Sequence, residues 1–254
     1  MLYQTQKVMT KKSYSKINLF IRALVPFLFS VIAIPPYSFA CLASLVLPSR
    51  YRNALIRTYL AAHLYLLKKV CLVDYKVEGL ENIPKNQNGI ILSKHQSTWE
   101  TFFLPLIFHD PAIIAKRELL WIPFFGWGLA ASAPIAINRG KHVTAMQQII
   151  QKGKKCLAEG RHILIFPEGT RIPAGKVGKY KLGGARLAEA TGYPVIPVAH
   201  NAGYYWPKGK FIKNPGTIRI VIGPLIESKG RSSDEIMRLT KTWIEETITK
   251  LGHN

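Results

Sequence analysis

The chain has 254 residues, which allows one sizeable α/β domain with an appendage and is too short for two domains of ordinary size. It carries 35 Lys and Arg residues against 14 Asp and Glu residues, a formal net charge of +21, so we expect anionic partners: nucleic acid, lipid headgroups or phosphorylated substrates. The sequence has no zinc-finger spacing and no aromatic-basic RNA-binding signature, which argues against nucleic acid. Its three cysteines form no CxxC pair, so neither a disulfide framework nor a thiolate metal site is indicated.

The N-terminal segment is typical of a membrane anchor. Four lysines within residues 7–16 precede residues 17–47, a strongly apolar stretch whose only charge is Arg22. By the positive-inside rule, this basic flank stays in the cytoplasm. We therefore predict that residues 1–49 form a membrane-associated segment at the cytoplasmic face of the inner membrane, either monotopic or single-pass, with membrane lipids as partners.

Prolines interrupt this apolar stretch. Because of Pro26 and the Pro35-Pro36 pair, we expect two shorter helical pieces, a helical hairpin that dips into one leaflet. Two alternatives stay open: a single kinked spanning helix, and a cleavable signal peptide, since Ser38-Phe39-Ala40 has small residues at the cleavage-site spacing. The continuing apolar run and the unpaired cysteines argue against the signal peptide.

From residue 50 onward, helical and strand-like patterns alternate. Arg50–Lys69 has apolar residues at helical spacing and predicts a connecting helix at the membrane surface. Further helices are predicted at Val143–Leu157 and at Ser233–Leu251, where Ser232 and Glu235 have capping-box spacing. Alternation with strands predicts one α/β domain over residues 50–254, with a mainly parallel central sheet flanked by helices. The predicted strands are Val73–Val77, Gly89–Ser93, Ala112–Ala115, Ile163–Phe166, Val195–Val198 and Thr217–Ile222.

A histidine with a nearby carboxylate follows the second predicted strand. His95 lies at the carboxyl end of that strand, where α/β sheets commonly build their sites, and Glu100 comes five residues later. Histidine can take a proton from an alcohol, and a neighbouring carboxylate can hold its tautomer. The alternative for Glu100 is purely structural, because Ser97-x-x-Glu100 is also a capping box. For His95 alone, the alternative is a structural histidine.

A second signal follows another predicted strand. Phe166-Pro167-Glu168-Gly169-Thr170-Arg171 places a carboxylate, a glycine backbone and a guanidinium in one tight turn, and arginine offers a bidentate fork to phosphate. An exposed turn with a surface salt bridge is the competing interpretation. By contrast, Gly126–Ala131 fits G-x-G-x-x-A but has no preceding strand, so we interpret it as close helix packing.

Four blocks in order resemble the motifs of the glycerolipid acyltransferases: His95-x4-Glu100, Ile137-Asn138-Arg139-Gly140, Phe166–Arg171 and Val195-Ile196-Pro197-Val198. The resemblance covers roughly residues 73–224. It implies transfer of a fatty acyl group from acyl-CoA or acyl carrier protein to the sn-2 hydroxyl of 1-acyl-glycerol-3-phosphate, giving phosphatidic acid, with no cofactor and no metal.

The resemblance also implies residue roles. His95 would be the general base and Glu100 its orienting carboxylate, although the family usually has Asp at that position. Lys116 and Arg171 match residues that hold the acceptor's phosphate, with Arg139, Glu168 and Gly169 shaping the pocket. Val195, Ile196, Pro197 and Val198 would line the acyl chain. No GxSxG elbow occurs, so we expect direct attack of the hydroxyl on the thioester without an acyl-enzyme.

Two other functions remain open on the sequence alone. The acceptor could be another lysolipid, such as a lyso-ornithine lipid or a different lysophospholipid. A non-catalytic lipid- or nucleic-acid-binding protein on the same fold is the alternative from another class, motivated by Glu100 and by the net charge of +21.

Overall fold

A computed structural model describes residues 14–138 and 142–252 of the chain, without the side chains of residues 142–144. Within these ranges, seven strands form one sheet in the order β1-β7-β6-β2-β5-β3-β4. Every neighbouring pair is parallel except β6 with β7, so the prediction of a mainly parallel sheet is confirmed. The strands are β1 (Val73–Glu78), β2 (Ile90–Ser93), β3 (Ala112–Lys116), β4 (Ile135–Ile137), β5 (Ile163–Ile165), β6 (Val195–His200) and β7 (Gly216–Ile222).

Parallel pairing brings the sequence motifs to one edge of the sheet. Strands β2, β3, β4, β5 and β6 all point the same way, so their carboxyl ends meet at that edge. His95 follows β2, Phe166 follows β5, and Lys116 ends β3. Lys116 pairs with Ile137, so Asn138 leaves β4 at the same edge.

Helices cover both faces of the sheet. Ile91, Leu164 and Ile196 pack on one face with α2 and α3, while Ile90 and Ile163 pack on the other with α5, α6 and α8. The predicted cap of the last helix is confirmed, because the Ser232 hydroxyl accepts a hydrogen bond from the Glu235 N–H. The helices are α1 (Lys16–Ala43), α2 (Ser49–Lys69), α3 (Trp99–Ile107), α4 (Phe125–Ala131), α5 (His142–Ala158), α6 (Gly183–Thr191), α7 (Ala202–Tyr205) and α8 (Ser233–Leu251).

The prediction that prolines split the N-terminal stretch is wrong. Helix α1 runs unbroken for 28 residues with Pro26, Pro35 and Pro36 inside it. Proline at position 26 leaves the carbonyl of Arg22 without its helical donor, and the Cys71 thiol donates to that carbonyl at 3.4 Å. The helical hairpin is instead formed by α1 and α2, which pack together and turn between residues 44 and 48.

Helix α1 leaves a long apolar face uncovered. In the part of the chain that the structure describes, Lys16–Val46 is the one helical segment that is long and apolar enough to cross a bilayer. Its exposed side chains include Phe20, Ile32 and Phe39. The ring of Phe39 packs against Trp127 of α4, at 5.8 Å between centroids. This contact joins the α1 face to a second exposed apolar group formed by Trp121, Ile122, Phe125 and Trp127.

Candidate active site

The His95 side chain is held by a carboxylate and by an aromatic ring. Its Nδ1 atom lies 2.9 Å from Glu100 Oε1, and its ring stacks on Phe166 with 4.1 Å between centroids. A carboxylate can only accept, so Nδ1 carries the proton and Nε2 keeps its lone pair. The side chain is 16% exposed, which leaves the ring accessible from one side only. The sequence prediction of a histidine–carboxylate pair is therefore realised in the geometry.

Glu100 serves as cap and as orienting group at once. Its Oε1 atom accepts hydrogen bonds from the backbone N–H groups of Gln96 at 2.9 Å and Ser97 at 2.8 Å, in addition to the His95 ring. The carboxylate is fully buried. Burial acts to raise the pKa of Glu100, but the hydrogen bonds that its carboxylate accepts from the His95 ring and from the Ser97 N–H outweigh burial, so the pKa lies below its ordinary value. Glu100 therefore has both of the roles considered from the sequence: it caps the start of α3 and it orients His95.

His200 supports this arrangement from the protein interior, and its neighbours in the sequence do not single it out. It is fully buried at the end of β6, and its Nε2 atom lies 2.9 Å from the carbonyl oxygen of Lys94. The Ala202 N–H donates to its Nδ1 at 3.3 Å. Burial lowers the pKa of His200, which keeps the ring neutral with Nε2 as the donor. A neutral histidine thus fixes the residue that precedes His95.

The turn after β5 docks directly onto the His95 loop. The Ile172 N–H donates to the carbonyl oxygen of His95 at 2.8 Å. Gly169 has a φ of +68°, a left-handed conformation that favours glycine and allows the tight turn. Arg171 Nη1 donates to Thr98 Oγ1 at 2.6 Å, which holds the guanidinium beside the start of α3. Thr98 is a further site residue that sequence reasoning missed.

One cavity of about 510 Å³ joins these groups, a size typical of small-molecule sites. His95, Lys116, Gly169 and Arg171 all line it, so the structure brings together the predicted base and three of the predicted phosphate-site residues. Arg139 lies outside the described residues. Most of the remaining lining is apolar and comes from α1, α2, α3, β3 and α4; it includes Ile34, Ile56, Leu60, Phe102, Ile113, Phe125 and Leu129.

Two predictions place residues at this cavity where the structure does not. Val195, Ile196, Pro197 and Val198 form a strand as predicted, but all four are buried in the centre of the sheet and none lines the cavity. A strand covered by helices on both faces is apolar for packing reasons alone, which explains the misassignment. Glu168 also faces away from the cavity, because Lys94 and the His95 N–H hold its carboxylate inside the protein.

The cavity combines two kinds of surface. Its polar lining includes His95, which offers a lone pair to an alcohol, and Lys116 and Arg171, which offer positive charge to an anion. Its apolar lining favours hydrocarbon. Such a cavity belongs to an enzyme class that activates a hydroxyl group of an amphipathic, phosphate-bearing molecule.

Comparison with known proteins gives the family. Residues 74–201, about half of the chain, match the acyltransferase family. Together with the relatives below, this match shows that the chain belongs to the acyltransferase family, as the four motif blocks predicted.

Relatives with curated names are similar over most of their length. The chain is 46% identical to the 1-acyl-sn-glycerol-3-phosphate acyltransferase of Pseudomonas aeruginosa, over 82% of this chain and 82% of that protein. It is 33% identical to the Borreliella burgdorferi protein of the same name, over 69% and 70% of the two chains. Its fold matches the crystal structure of the 1-acyl-sn-glycerophosphate acyltransferase PlsC from Thermotoga maritima, with a TM-score of 0.79, 28% identity and coverage of 94% and 98%.

Proposed function

We propose that this protein transfers a fatty acyl group from acyl-CoA or acyl carrier protein to the sn-2 hydroxyl of 1-acyl-glycerol-3-phosphate, giving phosphatidic acid. One observation supports this proposal most strongly: a single cavity is lined by His95, by two cations and by apolar side chains, and Glu100 holds His95 from behind. Relatives at 46% and 33% identity that bear the name of this activity support the choice of acceptor.

The proposed reaction runs in one displacement. His95 Nε2 takes the proton of the acceptor hydroxyl as the oxygen attacks the thioester carbonyl. Glu100 keeps Nδ1 protonated and stabilises the imidazolium that forms. Collapse of the tetrahedral intermediate breaks the carbon–sulfur bond, and the imidazolium returns the proton to the departing thiolate. Since the thioester is already an activated acyl group, the proposed reaction requires no cofactor and no metal.

Lys116 and Arg171 hold the phosphate of the acceptor in this proposal. Both line the same cavity as His95, and Thr98 orients the Arg171 guanidinium. A phosphate held there places the glycerol hydroxyls a short distance away, at the imidazole. The acyl chains then lie against the apolar lining from α1, α2 and α4 rather than against β6, and Arg139 remains a candidate for the same phosphate.

We further propose that residues 1–49 associate with the cytoplasmic face of the inner membrane, while residues 50–254 form the acyltransferase domain. The exposed face of α1 and the group Trp121, Ile122, Phe125 and Trp127, here called the apolar patch, form one continuous surface. Phe125 belongs to this patch and also lines the cavity, so a lipid in the leaflet lies beside the site. Tryptophans are common at such interfaces.

An acceptor panel tests the proposed function. Purified protein in vesicles receives one labelled acyl donor with 1-acyl-glycerol-3-phosphate, with a lysophospholipid whose phosphate is esterified, or with a lyso-ornithine lipid. We expect acylated product mainly from the first, because only its phosphate monoester carries the charge that two cations can match. Equal or better use of another lysolipid would contradict the acceptor assignment. Salt-sensitive DNA binding without any acyl transfer would instead favour a non-catalytic binding protein.

A further inference from the structure

A fully buried lysine lies directly behind the His95 loop. Lys94 has no exposed side-chain surface, although an ammonium group is costly to bury without partners. Its Nζ atom lies 2.7 Å from Glu168 Oε1 and 2.8 Å from Glu245 Oε1, and it donates to the carbonyl oxygen of Lys176 at 3.3 Å. The ammonium group therefore forms ion pairs with two carboxylates and donates hydrogen bonds to Glu245 and to the main chain of Lys176.

The partners of Lys94 connect three separate parts of the fold to the base. The second oxygen of Glu168 accepts a hydrogen bond from the His95 backbone N–H at 2.9 Å. Glu245 lies on α8, where its Oε1 atom also accepts from the Tyr180 hydroxyl at 2.7 Å. One chain of contacts thus runs from the C-terminal helix through Lys94 and Glu168 to the main chain of His95.

The charge of Glu168 depends on this lysine. Burial raises the pKa of Glu168, and the Lys94 ammonium and the His95 N–H oppose that rise. Without Lys94, the carboxylate would be buried without a counter-charge and would protonate or leave its position. A displaced carboxylate no longer accepts from the His95 N–H, and a protonated one accepts only as a weaker, neutral oxygen.

We propose that Lys94 is a positioning residue: its buried ammonium fixes Glu168, which in turn fixes the main chain of His95, and Glu245 anchors this chain of contacts to α8. The inference rests on the proposed function, since it assigns His95 the role of base. Lys94 touches no substrate, because it is fully buried and does not line the cavity. Arg171 is held separately through Thr98, so phosphate binding is affected less than turnover.

The test compares Lys94→Met, the double variant Lys94→Met/Glu168→Gln, and Lys154→Met as the matched control on the exposed surface of α5. We expect Lys94→Met to lower kcat about 100-fold with little change in KM for the lysolipid. The double variant should recover to within about tenfold of wild type, because a neutral amide oxygen can still accept from His95 N without a counter-charge. Lys154→Met should behave as wild type.

A spectroscopic readout separates positioning from a loss of folded protein. With ¹⁵N-labelled histidine, the chain gives seven backbone amide signals, and the His95 signal is the one lost in His95→Gln. We expect this signal to move in folded Lys94→Met and to return towards its wild-type position in the double variant. If Lys94→Met does not fold, the double variant alone decides: a folded double variant without recovered turnover overturns the proposal.

Two further results would overturn it. One is a folded Lys94→Met protein with wild-type kcat and an unmoved His95 signal. The other concerns the helix: Glu245→Leu should lower kcat about tenfold, whereas Glu246→Leu, on the exposed side of the same helix, should not. Equal activity of these two variants would show that α8 does not help to position His95. In contrast, failure of the proposed function itself would appear as a wild-type protein without acyl transfer.

Discussion

The two sides of the cavity are built in different ways. On the sheet side, each group around His95 is fixed by hydrogen bonds between particular atoms, such as the 2.9 Å contact of Nδ1 with Glu100. On the helix side, α1, α2 and α4 present apolar surface, and contact area matters more than any single atom. The first side sets the chemistry and tolerates little change, while the second holds hydrocarbon and tolerates much more. Substitutions should therefore lower kcat on one side and lipid affinity on the other.

The largest effect after loss of the base itself is expected at Glu100. Glu100→Gln keeps an oxygen that can cap the start of α3 but removes the charge that stabilises the imidazolium, so kcat should fall about 100-fold to 1,000-fold. Thermal unfolding should change little, because the capping hydrogen bonds survive. Steady-state kinetics and a melting curve on one preparation check both statements. A variant that unfolds while its remaining folded fraction keeps full kcat would show that Glu100 is only a cap.

The next largest effect is expected on KM, at the two cations that line the cavity on the sheet side. Arg171→Leu should raise KM for the phosphate-bearing acceptor about 30-fold, and Lys116→Leu about tenfold, because each removes a charge-assisted contact. Arg117→Leu is the matched control, since this exposed residue follows Lys116 directly and does not line the cavity. Measurements at several acceptor concentrations separate KM from kcat. Unchanged KM in both variants would contradict the placement of the phosphate.

A smaller effect is expected on the helix side. Trp121→Glu, in the apolar patch, should weaken binding to phospholipid vesicles about tenfold, because an aromatic ring that enters the leaflet in this proposal is replaced by a charge. Trp121 is 72% exposed in the structure, so folding should not suffer. Leu80→Glu replaces a comparably exposed side chain at the far edge of the sheet, next to β1, and serves as the control. Equal vesicle binding of both variants in a sedimentation assay would place the membrane elsewhere.

The smallest effect at neutral pH is expected on folding stability at the contact between α1 and α2, where a loss appears only at acid pH. His63 of α2 lies 3.1 Å from the Ser30 hydroxyl of α1, and burial, with a contribution from Lys213, lowers the pKa of His63 from 6.5 to about 4. Because the folded state binds the proton more weakly than the unfolded state, stability is complete above pH 6.5 and is lost as the pH falls towards 4. The loss assigned to His63 is about 3 kcal/mol.

Denaturant unfolding in detergent at pH 7 and pH 4 measures this loss against His63→Phe, which keeps an aromatic ring but cannot be protonated. The stability of wild type should fall between these pH values by about 3 kcal/mol more than that of the variant. An equal fall in both proteins would mean that other groups carry the acid sensitivity.

Sequence reasoning succeeded where the signal is local. Six of the seven strands and the whole of α8 were predicted, because runs of β-branched residues and the Ser232 cap are visible within a few residues. Strand β4 was missed since it has three residues and follows a proline. His95 and Glu100 are only five positions apart in the chain, so their spacing was informative.

Sequence reasoning failed where a distant partner decides the outcome. Pro26 of α1 looked like a helix break, but Cys71, far along the chain, satisfies the carbonyl of Arg22. Lys94 and Glu245 are 151 positions apart, and nothing in the local pattern of either residue indicates the contact. An apolar run such as Val195–Val198 is equally typical of a buried strand and of a lipid wall, so its position could only come from the fold.

Turnover by His95→Ala in vesicles tests most directly whether His95 is the catalytic base. We expect the rate of phosphatidic acid formation to fall at least about 1,000-fold, because the base is gone, while vesicle binding stays at the wild-type level. His109→Ala, an exposed histidine outside the cavity, provides the matched control and should keep its activity. A folded His95→Ala protein that still forms phosphatidic acid at the wild-type rate would show that His95 is not the base.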